Sequence, residues 1–265
     1  MLDIEYTKKA FQKYIQKFDC QNDKIQLKLI HTYCVVETSR YLCLHEGIQG
    51  DDFQLALIIA LLHDIGRFEQ LKRFNSFSDN NIDHALLGVK ILFEEGLIKE
   101  MVQDRDYDDI IYTAIFYHSA YAIPDIKDKR QLLHTQLIRD SDKLDNFRVK
   151  NTASIETLFD IEEKQFLSQQ VSSNIMDDIK NHCLIKKEDR HSEVDMWVSY
   201  FAFIFYLNFS SSYLFLKEND YIRKNIDRFS YQGILYHQMQ EMKEECLRFI
   251  DGHIKNRDFS IFHTI

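Results

Sequence analysis

The sequence predicts an all-α protein, and three observations carry that reading. Only 7 glycines and 1 proline occur among 265 residues, about 3% where average usage gives roughly 12%. Apolar residues recur at helical spacing through almost the whole chain. No apolar/polar alternation persists long enough to mark a strand. With 45% hydrophobic residues, disorder is excluded. The length is enough for a large buried core.

Taken in order, Phe11, Tyr14, Ile15 and Phe18 mark a first helix. Leu27, Ile30, Cys34, Val35 and Leu42 mark a second that ends near Gly47. Asp51 and Asp52 are candidate N-caps for a third, Phe53 to His63. Asp83 offers a cap for a fourth, which runs through Leu87 and Ile91 to a C-cap at Gly96. Ile110, Ile111, Ala114 and Ile115 lie on a fifth, and Pro124 ends the segment after His118. Leu132 to Val149 forms a sixth, and further helices begin at Ile155. The stretch from Arg67 to Asn80 reads as a long polar connection with room for a short hairpin. We expect a metal-binding helical core over residues 1–150 and a C-terminal helical extension packed on it over residues 151–265.

The formal net charge of −9 argues against a nucleic-acid polymer as partner, because such binding needs a basic footprint. It leaves room for a small phosphorylated substrate held by a few basic residues beside metal ions. Cys20, Cys34, Cys43, Cys183 and Cys246 are odd in number and form no CxxC pair, so reduced thiols are expected. The N-terminal residues carry no apolar leader, so a cytoplasmic location is expected. Met196 to Leu216 is an uncharged stretch long enough to span a bilayer. Asn208 and Ser210 to Ser212 interrupt it, so it reads as a buried helix pair rather than a membrane segment. The C-terminal part is expected to cap the pocket or to form a surface between copies of the chain.

The chemistry concentrates where the apolar run FQLALIIALL ends in His63-Asp64-Ile65-Gly66-Arg67. Burying an imidazole beside a carboxylate is costly unless both find partners. A divalent cation takes both at once. His31, His84 and His118 lie on or beside other apolar helices, and Asp140, Asp142 and Asp145 lie on the sixth. Helix bundles assemble metal sites from facing helices in this way. On a helical wheel Asp140 falls with Leu133, Leu137 and Leu144, whereas Asp142 lies near Ile138, so periodicity favours Asp140. Lys72 and Arg73 could meet a substrate phosphate or form a solvated basic turn. Tyr117 and Tyr121 are candidates for lining the pocket. His45, His134, His182, His191, His237, His253 and His263 read as surface or satisfied core residues.

The order His31, His63-Asp64 and a later aspartate in SDKLD, together with the HDIGRFEQ, FSD…DHALLG and FYHSAYAIP tracts, resembles the HD-domain superfamily of metal-dependent phosphohydrolases, in its bacterial HD-hydrolase branch. The resemblance covers roughly residues 25 to 150 and implies a helical bundle. By that resemblance His31, His63, Asp64 and Asp142 match the signature metal ligands, with Asp142 rather than Asp140 as the partner. His84 and His118 match the extra histidines of two-metal members, and Asp64 would bridge the ions. Arg67 matches a basic residue that contacts phosphate, which Lys72 would assist. Asp145, one turn from Asp142, would orient a ligand or the attacking water. No GYP tract occurs after His118, so the cyclic-di-GMP phosphodiesterases are a poor match.

The implied cofactor is one or two divalent ions: Mn, Fe, Ni, Co, Mg or Zn. The implied reaction is hydrolysis of a phosphate mono- or diester of a nucleotide-like metabolite by a metal-activated water. A non-catalytic nucleotide sensor and a di-iron oxygenase of HD-type fold are the alternatives.

Overall fold

The computed structural model describes residues 2–77, 79 and 82–261. Among them there are helices and turns and no strand. The chain divides into two compact units, Met1–Asp145 and Asn146–Ile265.

In the first unit, α1 (Ile4–Ile15) starts at Asp3, whose carboxylate accepts from Glu5 N and Tyr6 N. Helix α2 (Asp23–His45) starts at Asn22, whose side chain accepts from Lys24 N and Ile25 N. Helix α3 (Gly50–Leu62) is the centre of the unit, since every residue from Leu55 to Leu62 is buried. Hydrophobicity on all sides suits a helix surrounded by others, and α1, α2 and α7 (Asp108–Tyr117) pack around it. Asp51 and Asp52 do not cap α3: Gln49 holds that position without a side-chain bond. Instead Asp51 accepts from Tyr107 Oη at 2.9 Å, and Asp52 accepts from Arg130 Nε at 2.6 Å and His134 Nε2 at 2.9 Å. Both carboxylates still sit in the first turn, where the helix dipole favours them.

The expected polar connection after Arg67 is largely helical, which corrects the hairpin expectation. Helix α4 (Ile65–Phe74) buries Ile65, Phe68 and Leu71 on one face and points Lys72 and Arg73 to solvent. Its polar look is that of a solvated helix face, tied by an Arg73 Nε to Glu69 bond of 2.8 Å. Asn75 ends it in the left-handed region, at φ 47°. Residues 78, 80 and 81 of that stretch lie outside the described residues.

Helix α5 (His84–Val89) starts at Asp83, whose carboxylate accepts from Leu86 N as expected. A π-helical turn over Lys90–Glu94 comes next, and Gly96 ends the segment at φ 81°. After α6 (Ile98–Met101), α7 ends at Tyr117, so His118 sits at its cap and Pro124 lies in the connection beyond. Helix α8 (Lys129–Thr152) carries the later aspartates.

Gly66 and Gly88 let α4 and α5 cross backbone to backbone. A Cβ on Gly66 would stand 2.3 Å from the His84 carbonyl and 2.5 Å from Gly88 N. Neither neighbour is a flexible side chain, so the crossing tolerates only glycine there.

The second unit opens with the end of α8, then α9 (Ile155–Phe159), α10 (Glu163–Leu167) and α11 (Ser173–Lys180). It continues through α12 (Glu193–Ser199), α13 (Ser210–Glu218), α14 (Tyr221–Ile226) and α15 (Gly233–Ile261). Its core gathers Phe166, Trp197 and Phe229, with edge-on or tilted rings 5.5–5.7 Å apart. Helix α15 buries Met239, Met242, Cys246 and Ile250 along one face. The uncharged run from Met196 is broken into the end of α12, a 3₁₀ segment over Phe201–Tyr206 and the start of α13. No helix among the described residues is long and apolar enough to cross a membrane. All five cysteines are free.

Gly66→Ala should destabilise the protein by about 2 kcal/mol or more, since overpacking against backbone cannot relax. Gly252→Ala, with open space around it, should be neutral or stabilising by up to about 1 kcal/mol. Denaturant unfolding checks both. Equal stability of Gly66→Ala and the parent protein would refute the close crossing.

Candidate metal centre

The break between α3 and α4 builds the site. Leu62 ends a helix buried on all sides, and His63 and Asp64 are its last turn and the cap of the next helix. Both side chains are therefore carried into the interior, at 0% and 2% exposure. His31 comes from α2, His84 from the start of α5, His118 from the end of α7 and Asp142 from α8.

The two oxygens of Asp64 face different histidines. Oδ2 lies 3.8 Å from His31 Nε2 and 3.6 Å from His63 Nε2. Oδ1 lies 3.5 Å from His84 Nε2 and 3.8 Å from His118 Nε2. Asp142 Oδ1 closes the first side, 3.0 Å from His31 Nε2 and 3.8 Å from His63 Nε2.

Each of the four imidazoles is anchored through its other nitrogen. His63 Nδ1 donates to the Ala60 carbonyl at 2.7 Å, and His118 Nδ1 to the Ile115 carbonyl at 2.6 Å. His31 Nδ1 donates to Asp145 Oδ2 at 2.6 Å. His84 Nδ1 accepts from Arg67 Nη2 at 2.6 Å and lies 2.7 Å from Asp79 Oδ1. His31 Nε2 bonds Asp142 Oδ1 at 3.0 Å, and His84 Nε2 lies 3.1 Å from His118 Nε2. For His63 and His118, whose Nδ1 atoms face carbonyls, the ring proton sits on Nδ1 and leaves Nε2 as the lone-pair atom turned into the cluster. This is the tautomer and the support that metal-binding histidines use.

Two facts show that these residues fit a cation. His63 Nε2 is buried with no hydrogen-bond partner, an expense that native proteins rarely tolerate. Two donor sets, His31-His63-Asp142 and His63-Asp64-His118, each hold their ligand atoms within 4.8 Å of one another. Imidazole nitrogens and carboxylate oxygens form the donor set that zinc and other first-row divalent metals accept.

The electrostatics agree. Burial raises the Asp64 pKa, but Lys28, His63, His84 and Arg67 outweigh it and hold the carboxyl well below its ordinary value. Burial also raises Asp142, against which a hydrogen bond from His31 and the charges of His31, His63 and His118 prevail. Burial pushes His84 down to about 4 with help from Arg67, and His118 to about 4 with help from His63. Burial lowers His63 as well, in spite of Asp64 and Asp142. His31 goes the other way: burial and Lys28 lower it, but the bonds to Asp142 and Asp145 raise it further. Its Nε2 faces a carboxylate across a gap that a proton or a cation reconciles. Burial favours the neutral form of the other three, which face the carboxylates.

The structure thus brings His31, His63, Asp64, His84, His118 and Asp142 together. Asp145 stands behind His31, and Arg67 behind His84. The Arg67 Nη1 donates to Gln70 Oε1, to the Phe77 carbonyl at 3.0 Å and to Asp79 Oδ1 at 3.0 Å. Nη1 is thereby tied within the protein, while Arg67 Nε is buried with no hydrogen-bond partner. Lys72 is placed at the surface beside Glu69, 3.9 Å away, because it lies on the solvated face of α4. Asp140 is buried on α8, where its charge acts on Arg139 and Lys143. It belongs to neither donor set, so the wheel and the tertiary structure select different aspartates. The other described histidines lie apart from the cluster, and His263 is outside the described residues.

Three contributors escaped the sequence reading. Lys28 Nζ donates to Asp64 Oδ2 at 2.7 Å; its place three residues before His31, on the same helix face, was a usable signal. Asp79 stands in the FSD tract that the resemblance includes, without a role attached to it. Arg139 Nη1 donates to the carbonyls of Tyr117 at 2.8 Å and Ala120 at 2.6 Å, fixing the chain around His118. No side-chain pattern announces a bond to carbonyls.

Residues 29–146 match the family model of the HD domain. No curated protein and no solved structure matches the chain. The stretch that carries every imidazole and carboxylate of this cluster, residues 29–146, is therefore an HD domain of the HD-domain superfamily.

Proposed function

We propose that this protein is a metal-dependent phosphohydrolase that cleaves a phosphate mono- or diester of a small nucleotide-like metabolite. One observation carries the reading: four anchored imidazoles turn Nε2 toward the two oxygens of one buried aspartate. His31, His63, Asp64 and Asp142 would hold one divalent cation. Asp64, His84 and His118 would hold a second, with Asp64 shared. Bound there, such cations supply Lewis-acid polarisation of a phosphoryl oxygen and make a water easier to deprotonate.

The chain's own groups do the rest. The Ala60 and Ile115 carbonyls fix His63 and His118, while Asp145 and Arg67 fix His31 and His84. Arg67 holds Asp79 and adds positive charge that Asp64 feels. The low exposure of the histidines keeps bulk water from screening these charges. The net charge of −9 favours a small phosphorylated substrate over a nucleic-acid polymer.

Protein stripped of metal and reloaded in turn with Mn, Fe, Co, Ni, Mg or Zn should hydrolyse bis-p-nitrophenyl phosphate or a nucleotide with at least one of them. His63→Ala and Asp64→Ala should each lower kcat/KM by about 10³-fold or more. Full activity in the double variant would rule the mechanism out. Asp145→Asn should weaken metal affinity by about 10- to 100-fold through loss of the His31 anchor, read by competition with a chelating dye. Unchanged affinity would remove Asp145 from the site.

A further inference from the structure

We propose that Lys28 is the residue that grips the substrate's phosphate, the part that the motif would give to Arg67. This rests on the phosphohydrolase reading and names the residue through which that site meets its anion.

The assignment comes from where the positive charges of the first unit are spent. Arg67 is buried and bonded to Gln70, Phe77 and Asp79 within the protein. Arg139 is buried and bonded to backbone carbonyls. Lys24 Nζ donates to the Asn75 carbonyl at 3.0 Å, and Lys72 pairs with Glu69 at the surface. Arg67 reaches the cluster from behind, at His84 Nδ1, 2.6 Å away, and among these groups Lys28 is the one that sets its cation on Asp64 itself, 2.7 Å from Oδ2. That oxygen is the one that faces His31 and His63.

Exposure supports the same conclusion. The side chains of His31, His63 and Asp64 are 1%, 0% and 2% exposed, whereas Lys28 is 16% and Asp142 17% exposed, so the cluster reaches solvent on the side where Lys28 stands beside Asp64. Lys28 joins the cluster to solvent, with the Phe77 ring 5.9 Å from its Nζ. An ammonium has three donors, and a single carboxylate oxygen takes one. Placed beside cations at Asp64, a lysine adds charge that only an incoming anion balances. Phosphate satisfies both, and a phosphomonoester dianion does so better than a diester monoanion.

The test uses metal-loaded protein and inorganic phosphate as probe, with metal content measured in parallel. Lys28→Met should keep its metal and its Tm and bind phosphate about tenfold or more weakly by calorimetry. Its KM for p-nitrophenyl phosphate should rise by a similar factor, with a smaller change for bis-p-nitrophenyl phosphate. Lys28→Arg should restore most of the phosphate affinity, and it also serves if the methionine variant folds poorly. Unchanged phosphate affinity in Lys28→Met, or loss of metal with the affinity of the remaining loaded protein unaltered, would overturn the assignment. Parent protein that binds phosphate through Lys28 yet hydrolyses neither ester would sink the hydrolase reading and leave this one standing.

Discussion

Everything in the first unit answers to one constraint: the Asp64 carboxylate is buried and ionised. A lone carboxylate in such a place would cost many kcal/mol and would take up a proton instead. Here its ionised form is favoured because positive and ligand-type groups face it from five helices or their ends. Four imidazoles turn Nε2 toward its two oxygens, a donor set that further positive charge would complete. A hydrophobic centre would be easier to build. The expense of this one is what supports the proposed metal chemistry.

The helices are held to suit that cluster. Gly66 and Gly88 bring α4 and α5 into backbone contact, which places His84 and Asp64 in reach of each other. Arg139 ties α8 to the carbonyls at the end of α7, so the helix that supplies Asp142 also steadies His118. Asp52 ties α3 to α8 through Arg130 and His134. These are polar bonds in a mostly apolar interior, where they are directional and costly to leave unmade. They define positions to a fraction of a turn, which hydrophobic packing alone does not.

The second unit is built differently. Its core is aromatic, and Lys150 lies over the Tyr200 ring at 3.4 Å. Asp195 accepts from Ser172 N and Oγ and from His191 N, which satisfies a fully buried carboxylate by local hydrogen bonds alone. Asp64 and Asp195 are thus two buried acids with opposite solutions. One is surrounded by metal-type donors and the other by amide and hydroxyl protons, and only the first has the composition of a site.

The sequence by itself determined the helical class, most of the helices of the first unit and the histidines and Asp64 of the cluster, with Asp142 added by family resemblance. Helical periodicity is a local property, and a histidine or aspartate at the end of an apolar run is visible without coordinates. What surrounded those residues was not local. Asp142 sits in the cluster and Asp140 outside it because α8 is buried on more than one side, so a single-face wheel misjudged them. Arg67 turned inward and Lys28 turned to Asp64 because Asp79 and Asp64 compete for charge across more than 10 and 30 residues of chain respectively. The polar stretch after Arg67 became a helix because burial of Phe68 and Leu71 outweighed its turn-like composition. Convergence of donors is decided by tertiary packing, since only packing brings atoms from distant helices within bonding distance of one ion.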